Sequence, residues 1–400
     1  MPLGWIDFSQ SERSKVLSVL ELLSEKSALD ELGIAPVRDG FANIFFPGTS
    51  TIQRRAKYFM IVPYALKDLE YSSETNPNKL LRTLDEVERK CGEILLTGED
   101  REGIIGKRSL SQNRWVKQTP ADTYWAGLRS YGIFTDMLSL TEYVRAMCSM
   151  KKQKAALIQL GNRNDNSGKG DWDDKDAGDL FRRQFWNIPT YYDKWIDDLS
   201  IKLTKEEGSF LKKQIITSFP TSMLAFILRN NLTEIIGFES FQEMGLFISL
   251  FPDQMQKDYR LACHFSEFLF VLRTVYNMMI SDGKNERAND IWNELRADLR
   301  APAAVDLESI FVRLGITTKA DLCTFLRKCR SLMMSADLEG MKTEIKRRER
   351  YLKDSRAKTL HPGEFDPETW IGGGMLDYRF SNARVIIRDI FESEGIYAES

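Results

Sequence analysis

Three stretches of the chain gather cations at spacings that suit contact with a polyanion. The densest is Lys346-Arg347-Arg348-Glu349-Arg350-Tyr351-Leu352-Lys353-Asp354-Ser355-Arg356-Ala357-Lys358, with seven basic and two acidic residues. On a helix, Lys346, Arg350 and Lys353 share one face, and Arg347, Arg350 and Asp354 share its neighbour. Cations on one stripe can straddle successive phosphates and release their counterions. Arg348 and Arg356 belong to the same run. The second stretch, Arg101 to Lys117, offers Lys107, Arg108, Arg114 and Lys117 around Trp115, against a single acid, Glu102. The remaining one is Arg54-Arg55-Ala56-Lys57-Tyr58, just after a Pro47-Gly48 turn. A helix start there would present backbone amides to an anion. Tyr58, Phe59 and Ile61 argue instead that this helix is fixed in the core, and a structural role is the preferred reading. For the densest stretch the alternative is a solvated helix held by i,i+4 pairs such as Glu349 with Lys353.

Residues able to do catalysis or hold metal are sparse. There are two histidines. His264 sits in an apolar helical pattern and reads as a hydrogen-bonded core residue. His361 precedes Pro362 with no Cys or carboxylate at a diagnostic spacing. No G-x-x-x-x-G-K-[ST] phosphate loop, H-E-x-x-H, EF-hand or Cys/His zinc pattern occurs, and no G-x-S-x-G elbow. Gly103-Ile104-Ile105-Gly106 lacks dinucleotide-fingerprint spacing. Gly372-Gly373-Gly374 reads as a flexible turn. Asp171, Asp173, Asp174 and Asp176 are the one dense acid cluster, and a solvated linker explains them. No metal and no cofactor is expected.

The elements that must position these residues are helical. Ser11 can cap a helix carrying Val16, Leu20 and Leu23 on one stripe. A second helix starts near Leu29 and is interrupted near Pro36. Ile52–Leu69 reads as a long helix, kinked or ended early by Pro63. Further helices are expected over Leu80–Leu96, Ala121–Gly132 and Leu140–Leu160. Gly161–Asp171, rich in Gly and Asn, is the clearest loop or linker. Trp172, Phe181, Phe185, Trp186, Tyr191, Tyr192 and Trp195 follow as an aromatic cluster suited to a core or a docking surface. Thr204-Lys205-Glu206-Glu207 is a capping box opening a helix to Ile216. Thr221–Arg229, a long apolar helix from Pro252 or Asp253, Leu307–Leu314, Thr318–Met334 and Ala336–Lys353 complete the pattern. Strand-like alternation is confined to pieces such as Met375–Phe380. The expected fold class is mostly α, a multi-lobed helical architecture with at most a few short strands. The expected divisions are 1–160, a linker at 161–178, an aromatic-rich helical domain at 179–300 and a basic helical region at 301–400.

Composition agrees with a globular chain. Of 400 residues, 42% are hydrophobic and 28% charged, enough to bury a sizeable core. The formal net charge of -2 gives no overall attraction to nucleic acid, so any basic surface must be local. The five cysteines show no C-x-x-C pair and read as reduced core residues of a cytoplasmic protein. The N-terminus shows no secretory pattern. The most apolar window, Tyr259–Ile280, carries Arg260, His264, Glu267 and Arg273 and fails as a membrane span.

Several segments together carry a resemblance. Gly4-Trp5-Ile6-Asp7-Phe8-Ser9, Asp30-Glu31-Leu32-Gly33-Ile34 and the run Phe46 to Phe59 resemble the signature of a bacterial family built on a domain of unknown function. Thr123–Leu128, Phe219–Leu224 and Trp370–Gly373 look like further matching stretches. The resemblance extends over nearly the whole chain. Similar proteins are encoded in anti-phage defence islands, near helicases, phospholipase-D-like nucleases or DNA methyltransferases. The resemblance implies work beside DNA-processing partners and supplies no catalytic residue.

Three functions follow as expectations. One is a non-catalytic subunit of a defence complex that contacts DNA backbone, a helicase or nuclease partner, or both. Another is a metal-dependent nuclease with dispersed acids, for which Asp7, Asp30, Glu31 and Asp39 are candidates, although Asp30 also suits a helix cap. The last is a protein-only scaffold docking through Trp172, Trp186, Tyr191 and Trp195, since such residues dominate interfaces.

Overall fold

A computed structural model describes residues 30–164, 185–189, 191–192 and 194–398. Trp172, Phe181, the four-Asp cluster, Asp7, the Ser11 helix and residues 165–171 of the expected loop lie outside the described residues. In chain order the helices are α1 Ala35–Phe45, α2 Tyr58–Tyr71, α3 Pro77–Leu95, α4 Lys107–Leu110, α5 Pro120–Ser130, α6 Leu140–Asn164, α7 Lys205–Ser218, α8 Met223–Asn230, α9 Asp253–Ile280, α10 Glu286–Leu295, α11 Arg300–Ala303, α12 Leu307–Arg313, α13 Ala320–Met334, α14 Leu338–Lys353 and α15 Phe380–Ser393. Among the described residues there is no strand, only an isolated antiparallel bridge between Phe134 and Trp186. The protein is mostly α. No helix among the described residues is long and apolar enough to cross a membrane.

The chain divides into two compact units, each assembled from separated stretches. The first joins the segment ending at Phe45 to Glu239–Tyr378. The second joins Phe46–Phe238 to the segment beginning at Arg379.

In the first unit α9 is the central element, and the chain from Ile371 to Tyr378 is tied along it. Asn277 brackets Ile371, donating to its carbonyl (2.9 Å) and accepting from its amide (2.8 Å). Ser266 Oγ accepts from the Leu376 amide, and Tyr378 Oη donates to the Ala262 carbonyl, each at 2.7 Å. Met375–Phe380 therefore forms no strand: its polar groups are committed to helix side chains and carbonyls. Pro36 lies in the first turn of α1 rather than interrupting a helix, where its missing N–H costs nothing. Asp30 accepts from the Ile34 amide (2.8 Å) and from that of Ala35, the first residue of α1. His264 is exposed on α9, not in the core. Cys323 and Cys329 are buried here and Cys263 is half-buried; all are free thiols.

In the second unit α2 begins at Tyr58, six residues later than its apolar pattern suggests. The amides that a longer helix would use are already taken. Gln53 Oε1 accepts from Ser50 (3.1 Å), and Tyr124 Oη from Arg54 (3.0 Å) and Arg55 (3.1 Å). Asp389 Oδ2 accepts from Ala56 (2.7 Å). Pro63 is accommodated inside α2, which continues to Tyr71. α7 opens with the Thr204 and Glu207 capping box. α6 runs through Asn164, so the first residues of the expected Gly/Asn loop are helical. Of the expected aromatic cluster, Phe185, Trp186 and Trp195 are core, Phe185 and Trp186 packing on Trp125, Phe134 and Tyr143, whereas Tyr192 is exposed.

Candidate nucleic-acid interface

The second unit carries a groove of about 560 Å³. One wall is Arg54 and Arg55, a second is the chain from Glu102 to Ser109, and Val116, Val385 and Arg388 complete the lining. Two of the three basic stretches thus meet at one concavity, together with a face of α15.

The walls are held by buried polar contacts. Tyr124 Oη, on α5, donates to the Arg55 carbonyl (2.7 Å) while accepting from the two amides named above, which fixes the Arg54–Arg55 backbone. Arg379, just before α15, donates to the Thr49 carbonyl (3.0 Å), and Asn382, on α15, to the Thr51 carbonyl (3.2 Å). Tyr58 Oη accepts from the Ile105 amide (2.9 Å), tying the facing loop to α2. That loop needs its glycines. Gly103 and Gly106 both have left-handed backbone angles, φ +68° and +82°. A Cβ at Gly103 would stand 2.8 Å from Arg55 Cγ, and one at Gly106 2.9 Å from Trp115 Cζ3.

Charge is sorted between wall and rim. Arg55 is 1% exposed. Its Nη1 donates to Asp100 (2.7 Å) and to the Glu102 carbonyl (3.1 Å), and its Nε donates to Asp389 (3.1 Å). Burial pushes the Asp389 carboxyl up to about 6, with Arg55 pulling the other way. Partial burial also acts on Asp100, but the Arg55 hydrogen bond holds its carboxyl below the usual range. Lys57 is spent likewise, on Glu207 at 2.7 and 2.8 Å. Arg54, Lys107 and Arg108 are exposed and pair with no carboxylate among the described residues. Arg388 Nε lies 3.8 Å from Glu392. The rim therefore offers three exposed cations, Arg54, Lys107 and Arg108, against one acid, Glu102, while half-buried Arg388 stands beside Glu392. Arg114 and Lys117 are exposed in the same stretch without lining the groove.

Charge runs alone do not point to Arg388 and Val385. Arg384 and Arg388 stand four residues apart in a helical segment, and that spacing is the signal the sequence offers.

The third basic stretch belongs to the first unit, and part of it turns inward. Arg348 is buried, donates to the Leu32 carbonyl (3.0 Å) and stacks on Phe325. Lys353 and Lys358 both pair with buried Glu31, Lys358 at 2.7 Å. Arg347 pairs with Glu344. Glu349 accepts from Tyr276 Oη (2.8 Å) and from the Lys358 and Thr359 amides. Lys346, Arg350 and Arg356 are exposed.

Of the candidate docking aromatics, Trp186 and Trp195 are 1% and 3% exposed, so their rings face the core. Trp186 Nε1 donates to Tyr143 Oη (3.0 Å), and Trp195 Nε1 to Asp68 (3.0 Å), which Tyr191 Oη also reaches. The described dispersed acids have partners: Asp30 accepts from the amides at the start of α1, Glu31 pairs with two lysines, and Asp39 pairs with Arg38 (3.0 Å). Among the described residues no group of three or more His, Cys, Asp or Glu is placed to hold a metal ion.

The geometry defines an all-helical protein with a basic, partly apolar groove in one of two units. A family model described as a family of unknown function, DUF6361, matches residues 1–157. That match includes both basic walls of the groove and leaves Val385 and Arg388 beyond it. No curated protein and no solved structure matches the chain.

Proposed function

We propose that this protein is a non-catalytic subunit that contacts the backbone of DNA through the groove of its second unit. The observation that carries the reading is the convergence of exposed Arg54, Lys107 and Arg108 on one concavity while the neighbouring Arg55 is neutralised internally. Exposed cations that are not spent on a buried carboxylate are the groups available to displace counterions from phosphate. The net charge of -2 makes such local concentration necessary. The resemblance to proteins encoded beside helicases, nucleases and methyltransferases supports a place next to a DNA-processing partner in an anti-phage defence system.

Fluorescence anisotropy with labelled DNA over a salt series tests this. With about three phosphates neutralised, affinity should fall roughly 20-fold or more between about 50 and 200 mM salt. Combining Arg54→Glu, Lys107→Glu and Arg108→Glu should abolish most of that binding and flatten the salt dependence. Unchanged affinity and slope in the triple variant would remove the groove from DNA contact. No binding at low salt would leave the protein-only scaffold as the better reading.

A further inference from the structure

We infer that the groove takes single-stranded rather than duplex nucleic acid, with a base laid on an aliphatic floor inside the ring of cations. The inference rests on the DNA-contacting reading above and adds the form of the ligand.

Between the basic rim residues the lining is apolar: Ile104, Ile105, Val116 and Val385, drawn from the Gly103–Gly106 loop, the following chain and α15. Three of the four are half-buried, so they present aliphatic surface to the groove while being held from behind. A flat phosphate-contacting surface has no use for such a floor. A duplex keeps its bases stacked inside and offers the protein phosphate, sugar and groove edges. Docked on this site it would meet the rim cations and leave the aliphatic floor uncovered. An unstacked nucleotide can bury its base face there and keep its phosphate among Arg54, Lys107 and Arg108. The volume, about 560 Å³, falls within the range of pockets that enclose small organic ligands.

The floor also predicts how selective the site is. Its four side chains carry no hydrogen-bonding groups to read a base edge, so contact is by shape and dispersion. Bases should be accepted with little sequence preference, as on other platforms for single strands. No aromatic side chain lines the groove among the described residues. The grip per base is therefore weaker than a stacking platform gives, and the rim charges supply most of the affinity.

The test uses the full chain with a fluorescein-labelled oligothymidylate of about 15 nucleotides and a mixed-sequence duplex of the same length. Single strand should bind about tenfold or more tightly than duplex at equal salt. Val385→Asp, which sets a carboxylate in the floor, should weaken the single strand about tenfold and leave residual duplex binding unchanged. If that variant melts early, Val116→Gln gives the same reading from another part of the lining. Equal affinity for the two forms, or duplex preference, with floor variants inert and the rim triple variant still defective, would overturn this inference and leave the backbone-contact reading standing. Absence of binding to either form at low salt would overturn both.

Discussion

Arg55 reaches two carboxylates from a position 1% exposed: Asp100 at 2.7 Å and Asp389 at 3.1 Å. Removing the cation would leave buried Asp389 without its ion-pair partner, which is the costly way to break a buried pair, whereas removing Asp389 leaves Arg55 with Asp100. Asp389 also receives the Ala56 amide, so this carboxylate sets the end of the Arg54–Arg55 wall. Burial raises its carboxyl to about 6 in the folded protein, against roughly 3.9 for an unfolded aspartate. The folded state therefore holds this proton more tightly. The contribution of Asp389 to stability is largest below about pH 4, declines as pH rises toward 6 and is constant above that. The full span is at most about 3 kcal/mol. Chemical denaturation of wild type and Asp389→Asn at stepped pH isolates it: the stability of wild type relative to the variant should fall between about pH 4 and 6 and then level off. A relative stability that stays flat across that window would show that Asp389 does not titrate there.

At the scale of elements, the loop from Gly103 to Gly106 is held from two sides, by Tyr58 Oη at the Ile105 amide and by Trp115 packed on Gly106. Gly106→Ala adds a Cβ at φ +82° and 2.9 Å from Trp115 Cζ3. It should cost about 1–2 kcal/mol and displace Lys107 and Arg108, lowering the thermal midpoint and DNA affinity together. Gly237→Ala, where nothing stands within 4 Å of the added atom, should stay within about 0.5 kcal/mol of wild type. Equal behaviour of the two variants would mean the loop geometry is not required. The glycines are visible in the sequence as a loop around Ile104-Ile105, but not as the wall of a groove. The contrast between α7 and α2 gives the reason. Thr204 and Glu207 satisfy each other's backbone within four residues, so that helix start is written locally. The start of α2 is set by Tyr124 and Asp389, about 70 and more than 330 residues away, and a periodic apolar pattern carries no trace of them.

For the molecule as a whole, each unit is closed by chain from distant parts of the sequence, and this decides which charges remain at the surface. The run from Lys346 to Lys358 is legible as charge. That its Lys353 and Lys358 belong to Glu31, and Arg348 to the Leu32 carbonyl, follows only once the N-terminal segment is packed against α14. Conversely Arg388 stands outside every charge run yet lines the groove. The same sorting separates a surface role from an internal one in that run. Reversing Lys346, Arg350 and Arg356 to Glu changes three exposed cations, none of them in the groove of the second unit. Single-strand affinity should stay within about threefold of wild type, because none of the three cations lines the groove and salt screens exposed charge. Glu31→Ala acts oppositely: it takes the carboxylate from two largely buried ammonium groups, leaving Lys353 with Glu349 at 3.8 Å, and should destabilise the first unit by about 3 kcal/mol. Thermal melts and anisotropy on both variants resolve the assignment. If the surface triple variant lost single-strand binding as completely as the groove variant, the segment carrying Lys346, Arg350 and Arg356 would be a second nucleic-acid contact.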